Sequence, residues 1–373
     1  MIRTQRLTDR FLSLTKIDSP SFGEREMADR LTGELRTLGF AVSEDGAGAR
    51  IGGDAGNLFA ALPGAGEAAG LPPLLFAAHM DTVEPSRGKK ARLLEDGRIV
   101  SDGATVLGAD DVSGLSAILE AAASIREDGR PHRPLEVLFT VAEEPYDFGS
   151  EAFDGSPVRA KEAYVLDLDG PVGGAAVAAP SIGSFSAEIL GRASHAGFAP
   201  EKGVHAVAAA ALAVSRLKMG RLDHQTTLNV GVIDGGHATN IVPERCLVRG
   251  EVRSASHTEA CRVLGTVRNV FEQTAASFGA SCRFEARFGC RAYEMQPGSP
   301  VVRRYEAACG AAGVSMQLRR TFGGSDASQL TQRGIAALVV SCAMYRSHSC
   351  AEYTAVQDLE KVCRIVENLM LRP

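Results

Sequence analysis

Leu74-Leu75-Phe76-Ala77-Ala78-His79-Met80-Asp81-Thr82 is the stretch on which the reading of the chain turns. Its apolar run follows Pro72-Pro73 and ends in an imidazole, with a carboxylate two residues on. A continuous apolar segment, as opposed to an alternating one, suits a strand covered on both faces, as in a parallel sheet. Similar segments recur. Residues 135–141 are mostly apolar and lead to Glu143-Glu144, residues 163–166 lead to Asp167, and residues 335–342 lead into a loop carrying His348. Gly108-Ala109-Asp110-Asp111 opens a helix expected over about 112–127, with Leu115, Ile118, Leu119, Ala122 and Ala123 on its apolar side. Strand, helix, strand, with polar groups at the strand ends, predicts an α/β domain with a central, mostly parallel sheet. Such a sheet presents its ligands beyond the carboxyl ends of its strands.

Outward from this core, residues 4–17 and 22–38 have helical spacing. Ser21 stands as a candidate N-cap with Glu24 three residues later. Residues 40–61 read as edge strands and turns, and residues 86–105 as a loop with a short hairpin. Beyond Pro180 the pattern changes to strand 183–191, helix 203–220, strands 226–234 and 246–253, helix 257–278 and strand 281–288. That βαββαβ order is the ferredoxin-like plan. We therefore expect a catalytic domain formed by residues 1–180 and 293–373, interrupted by an inserted α+β lid or dimerisation domain at 181–292. Helices at 299–312 and 356–371 complete the first domain.

Composition narrows the function. In 373 residues, 45% are hydrophobic and 23% charged, with a net charge of −5. That is an ordinary globular balance with no long basic run, so neither a nucleic-acid nor a membrane partner is expected. With no Trp there is little material for an aromatic-lined groove. No apolar leader follows the first residues and no segment is long enough to span a membrane, so a cytoplasmic location is expected. The 8 cysteines are scattered without a CxxC pair, which reads as reduced thiols.

Taken singly, the polar groups have bland readings. Asp110 can cap a helix, Glu143-Glu144 can be a solvated pair, and His348 can be a loop residue. Together they say more. An imidazole that binds a metal needs a partner on its other nitrogen, and Asp81 is placed for His79. Adjacent carboxylates at Asp110-Asp111 and Glu143-Glu144 repel unless a cation neutralises them. One of such a pair can bind metal while the other acts as a general base on water. Nitrogen-plus-carboxylate donors suit zinc, with cobalt or manganese as alternatives.

These segments resemble the peptidase T-like branch of the co-catalytic dizinc metallohydrolases, the family that includes carboxypeptidase G and aminoacylase. The resemblance runs through His79-Met80-Asp81, Gly108-Ala109-Asp110-Asp111, Glu143-Glu144, Asp167 and Ser194-His195-Ala196-Gly197. It continues through Gly235-Gly236-His237-Ala238-Thr239-Asn240, Glu251-Val252-Arg253, Gly323-Gly324-Ser325-Asp326 and His348 with Glu352-Tyr353. It covers nearly the whole chain in order. It implies that two divalent cations are held, one by His79 and Asp167 and the other by Glu144 and His348, with Asp110 between them. It also implies a cis Asp110–Asp111 peptide, Glu143 as general base and Asp81 as the residue orienting His79. His195 would stabilise the oxyanion, and Asn240, Arg253 and Gly324 would contact substrate. A homodimer through the lid domain and a lid that closes on hinges near 181 and 292 are further implications.

The expected activity is metal-dependent hydrolysis of peptide bonds in small peptides. The alternative is removal of the acyl group from N-acylated amino acids, or another small-molecule amide hydrolysis, by the same site. A metal-binding scaffold without turnover would have no need of Glu143.

Overall fold

In a computed structural model of the protein, which describes residues 1–371, the chain divides into two compact units. One comprises Met1–Ala178 together with the segment from Glu294 onward, and the other is Ala179–Tyr293.

The first unit is a sheet between helices. Its central strands are Leu135–Thr140, Leu74–His79, Glu162–Leu168 and Ala336–Ser341, in that spatial order and parallel to one another. Leu58–Leu62 joins antiparallel on one side, followed by Ala41–Glu44. Gly174–Ala179 joins antiparallel on the other, and Gln317–Arg320 runs parallel beside it. The sheet is thus mixed but mostly parallel at its centre, as the apolar runs predict. Every residue of Leu74–His79 and Leu135–Thr140 is buried. Phe76, fully buried and stacked on Tyr164, contributes roughly 1.5–3 kcal/mol through its burial alone.

The helix Ala109–Glu127 lies buried along nearly its whole length. It starts earlier than the periodicity suggests, but Asp110 and Asp111 within it depart from helical dihedrals and are joined by a cis peptide bond. Gly108, just before it, has φ +79°, a conformation glycine adopts without a Cβ penalty. The terminal helix Val356–Leu371 packs its apolar face into the same core through Leu359, Val362, Val366 and Leu369. At the N-terminus, Glu120 is fully buried and accepts hydrogen bonds from the backbone of Arg3 and the side chains of Arg6 and Arg10. This network fastens Thr4–Leu14 to the long helix.

Two local expectations differ from the structure, and one strand is not anticipated by the sequence pattern. The second helix is Arg25–Thr37, and Ser21 does not cap it. Ser21 Oγ donates instead to Asp81 Oδ2 at 2.7 Å, and Glu24 receives the Phe22 and Ala142 amides. A buried carboxylate far away in sequence outcompetes the local cap. The alanine-rich helix is shorter than 203–220, spanning Ala206–Arg216, with His205 Nδ1 accepting from Ala208 N. The strand Gly174–Ala179 escapes a pattern search because its small side chains carry little hydrophobic signal.

The second unit has strands Ser181–Leu190, Thr226–Gly235, Arg245–Ser254 and Ser281–Cys290, all antiparallel where paired. Ser181–Leu190 and Arg245–Ser254 lie at the centre, flanked by the other two. Helices Ala206–Arg216 and His257–Ser277 cover one face, around Phe185, Val248 and Phe271. Among the described residues no helix is long and apolar enough to cross a membrane. The cysteines are free thiols, and Cys246, Cys290, Cys309, Cys342 and Cys363 are buried.

Candidate metal centre

The parallel strands end on one edge of the sheet, and the chemistry collects there. His79 terminates its strand with a side chain only 1% exposed. Its Nδ1 lies 3.0 Å from the Asp81 carbonyl oxygen and 3.4 Å from Asp81 Oδ1. That contact turns Nε2 toward the strand tips, 2.9 Å from Asp110 Oδ1 and 4.0 Å from Asp167 Oδ1. On the other side, His348 Nε2 is 3.3 Å from Asp110 Oδ2 and 3.0 Å from Glu144 Oε2. The two oxygens of Asp110 therefore face two different imidazoles, the disposition a bridging carboxylate requires. Ligand atoms of His79, Asp110 and Glu144 lie within 4.8 Å of one another, as do those of His79, Glu143 and Asp167. Side chains from distant parts of the sequence converge here because His79, Glu144, Asp167 and His348 stand at or beyond the ends of different strands of one sheet, while Asp110 comes from the turn that opens the helix Ala109–Glu127.

The electrostatics of the cluster are those of a carboxylate excess in a dry place. Burial pushes the Glu143 carboxyl well above its ordinary range, and repulsion from Asp167 and Asp147 adds to it. Burial and the neighbouring Asp110 do the same to Asp167. Glu144 is raised by burial too, partly offset by its bond with His348. His348 is drawn up to about 10 by its hydrogen bonds with Asp110 and Glu144. For His79 burial opposes the charged form, but its bonds with Asp110 and Asp81 prevail and raise it. Asp110 goes the other way: burial would raise it, but its bonds with His348 and His79 prevail and lower it. Glu144 Oε1 is buried with no hydrogen-bond partner. An unmatched oxygen among crowded carboxylates and imidazoles fits a divalent cation, since buried charges are paired or bound to metal.

Surrounding groups fix the backbone of the candidate ligands. Asp81 accepts from Glu143 N at 3.0 Å and Glu144 N at 3.2 Å, so it holds the Glu143-Glu144 turn as well as facing His79. Asp111 accepts from His79 N, and Glu24 from Ala142 N. Glu352 accepts from Gly108 N and Asp110 N. Asn57 receives Val141 N. Reading the sequence gives Glu24 only a capping part, places Glu352 only within the run that carries the resemblance, and assigns no part to Asn57, which carries no pattern at all.

The other candidate residues are dispersed. Gly324 lies in the loop before Asp326, whose carboxylate accepts from Thr140 Oγ1 at the end of Leu135–Thr140. In the second unit His195 and Asn240 come together. Ser194–His195 pairs with Ile241–Val242, and Ala196 N donates to Asn240 O at 3.0 Å. His195 Nδ1 accepts from the amides of Gly197 and Phe198, each at 3.1 Å, which leaves Nε2 as the donor. Arg253 is half-buried and makes a two-point contact with Glu251 on its own strand.

Comparison with known proteins places the chain in a family. The profile of peptidase family M20/M25/M40 matches residues 75–372. The chain belongs to this family. A protein of Bacillus subtilis (strain 168), named YqjE and itself uncharacterized, is 34% identical over 98% of both chains. Among solved structures, a tripeptidase from Staphylococcus aureus superposes with a TM-score of 0.90 at 32% identity, covering 100% of this chain and 98% of that one. The aminopeptidase PepT from Bacillus cereus superposes with a TM-score of 0.85 at 36% identity, covering 99% and 98%. This member of the M20 family is thus a metallopeptidase of the peptidase T-like kind, and its function is metal-dependent peptide hydrolysis.

Proposed function

We propose that this enzyme hydrolyses the first or last peptide bond of short peptides, tripeptides foremost, through a two-metal centre. The relatives named for tripeptidase and aminopeptidase activity support the substrate class. Asp110 placed between two imidazoles, its oxygens at 2.9 and 3.3 Å from them, is the observation that carries the two-metal reading. His79 and Asp167 would hold one cation, Glu144 and His348 the other, and Asp110 both. The nitrogen and carboxylate donors favour zinc. The bound metals supply Lewis acidity and bring a water's pKa toward neutrality.

The chain's own residues do the rest. Asp81 orients His79 and holds the backbone of Glu143 and Glu144. Glu143 takes a proton from the attacking water, whose oxygen bonds to the carbonyl carbon. It then delivers that proton to the leaving nitrogen as the C–N bond breaks. His195, with Nε2 as donor, stabilises the charge that develops on the carbonyl oxygen. Asn240, Arg253 and the Gly324 loop contact the substrate, and Arg253 with its planar fork suits a terminal carboxylate. We further place the enzyme in the cytoplasm as a homodimer formed through residues 179–293.

Metal analysis of the purified protein, combined with hydrolysis of di- and tripeptides beside N-acyl amino acids, tests this reading. Two equivalents of metal and cleavage of free-amino peptides are expected. Preferential cleavage of N-acyl amino acids would reassign the substrate. No turnover of either class with zinc, cobalt or manganese at saturation would overturn the assignment. Glu143→Ala should retain metal while losing at least 10²-fold in kcat.

A further inference from the structure

His348 differs from the other candidate ligands in one physical respect. The side chains of His79, Asp110, Glu144 and Asp167 are almost wholly enclosed, whereas that of His348 is 58% exposed. Packing alone does not hold it, so its loop must. That loop is closed at its base by Tyr345 and Tyr353, whose backbones exchange two hydrogen bonds of 3.0 Å and whose rings stack at 4.9 Å. Within it, Arg346 and His348 have positive φ, so its shape depends on the tie at the base. Beside that tie sits Glu352, 1% exposed. Its Oε2 accepts from Gly108 N at 2.7 Å and its Oε1 from Asp110 N at 2.9 Å. Both oxygens of one buried carboxylate on the His348 loop are thus committed to the turn that presents Asp110. Tyr353, the next residue, pairs with Val100 in the Ala91–Leu93/Arg98–Ser101 hairpin, which anchors the same arm. On the far side of the turn, the stem of Lys89 covers Gly108 closely enough that a Cβ there would lie 3.3 Å from it.

We infer that Glu352 is a positioning residue for the metal centre: it ties the loop of His348 to the turn of Asp110 and so sets the affinity of the cation held by Glu144 and His348. The inference rests on the two-metal reading above and deepens it. The cation at His79 and Asp167 shares Asp110 but draws its other two ligands from core strands, so it depends less on this tie than the cation whose second imidazole rides on the tied loop. A residue that merely stabilised the fold would weaken both sites together.

The test is titration calorimetry of the full-length, metal-free protein with Zn2+, wild type against Glu352→Gln. Glutamine keeps the volume but places an NH2 against one of the two backbone N–H donors. We expect one Zn2+ equivalent to stay within about threefold of wild type and the other to lose roughly 10- to 100-fold, the range for an outer group that orients a ligand. Unchanged binding of both equivalents, or an equal loss of both, overturns the inference. Amide hydrogen exchange of the metal-free wild type decides it independently of how the variant folds. Gly108 and Asp110 should be strongly protected, and exchange at the rate of open loop amides sinks the tie. Wild-type protein that binds no Zn2+ would instead strike at the two-metal reading, with the exchange result still deciding whether Glu352 holds the turn.

Discussion

Replacing Asp81 with asparagine probes the centre of the mechanism with a change of one atom type. Asp81 Oδ1 accepts from Glu143 N at 3.0 Å and lies 3.4 Å from His79 Nδ1. Its Oδ2 accepts from Ser21 Oγ at 2.7 Å and from Glu144 N at 3.2 Å. An asparagine offers one oxygen and one NH2. Whichever way it turns, the NH2 meets the amide of either Glu143 or Glu144, so at least one charge-assisted hydrogen bond is lost. At a buried site such a bond is worth about 1.5–3 kcal/mol. With about 1.4 kcal/mol per tenfold in rate, the expected cost is roughly 10- to 100-fold in kcat/KM.

The loss has two routes that a metal titration separates. Through His79, the substitution weakens cation affinity, and excess metal should recover that part. Through the Glu143-Glu144 turn, it misplaces Glu143, the proposed general base, and no amount of metal restores that. Peptide hydrolysis by Asp81→Asn should therefore rise with added zinc but level off about tenfold or more below wild type. Full recovery of kcat at saturating zinc would confine Asp81 to His79 and refute its hold on the turn. Wild-type kinetics at every zinc concentration would refute both.

His195→Ala should lower kcat by about 10²–10³, as for loss of an oxyanion donor, with metal content unchanged by elemental analysis. Equal losses of metal and turnover would make His195 a ligand or a structural residue. Glu120→Ala removes the buried acceptor of Arg6 and Arg10, only 26% and 11% exposed themselves, and should cost about 3 kcal/mol in chemical denaturation. Its zinc stoichiometry should stay as in wild type, and a loss below 1 kcal/mol would show that the arginines find other partners.

Much of the site is legible in the sequence because a parallel sheet converts chain order into spatial convergence. His79, Glu144, Asp167 and His348 each follow an apolar run, and such runs are read without a structure. Once the runs are assigned to one sheet, their ends must meet. What escapes is whatever depends on a particular distance. Ser21 with Glu24 has the spacing of a capping box, yet the Ser21 hydroxyl goes to Asp81, 60 residues on. Local spacing cannot foresee a buried carboxylate that offers a stronger bond. Asn57 stands in no motif, and only the fold shows that Asn57, Glu24 and Glu352 receive the Val141, Ala142, Gly108 and Asp110 amides.

That division has a physical cause. Groups that face a cation must be particular residue types, so they leave a chemical signature. Groups that hold backbone amides need only be acceptors at the right place, and many residues serve. The strand ends fix where His79 and Asp167 go almost by topology. The Asp110 turn and the His348 loop are irregular backbone, and each relies on acceptors brought from elsewhere. The readable part of this site is therefore its chemistry, and the unreadable part is its stiffness. Among these acceptors Asp81 and Glu352 each satisfy two backbone amides at once, on the Glu143-Glu144 turn and on the Asp110 turn. Variants at these two positions should therefore alter how firmly metal is held and how well the proposed base Glu143 is aimed, while leaving the proposed metal and substrate contacts intact.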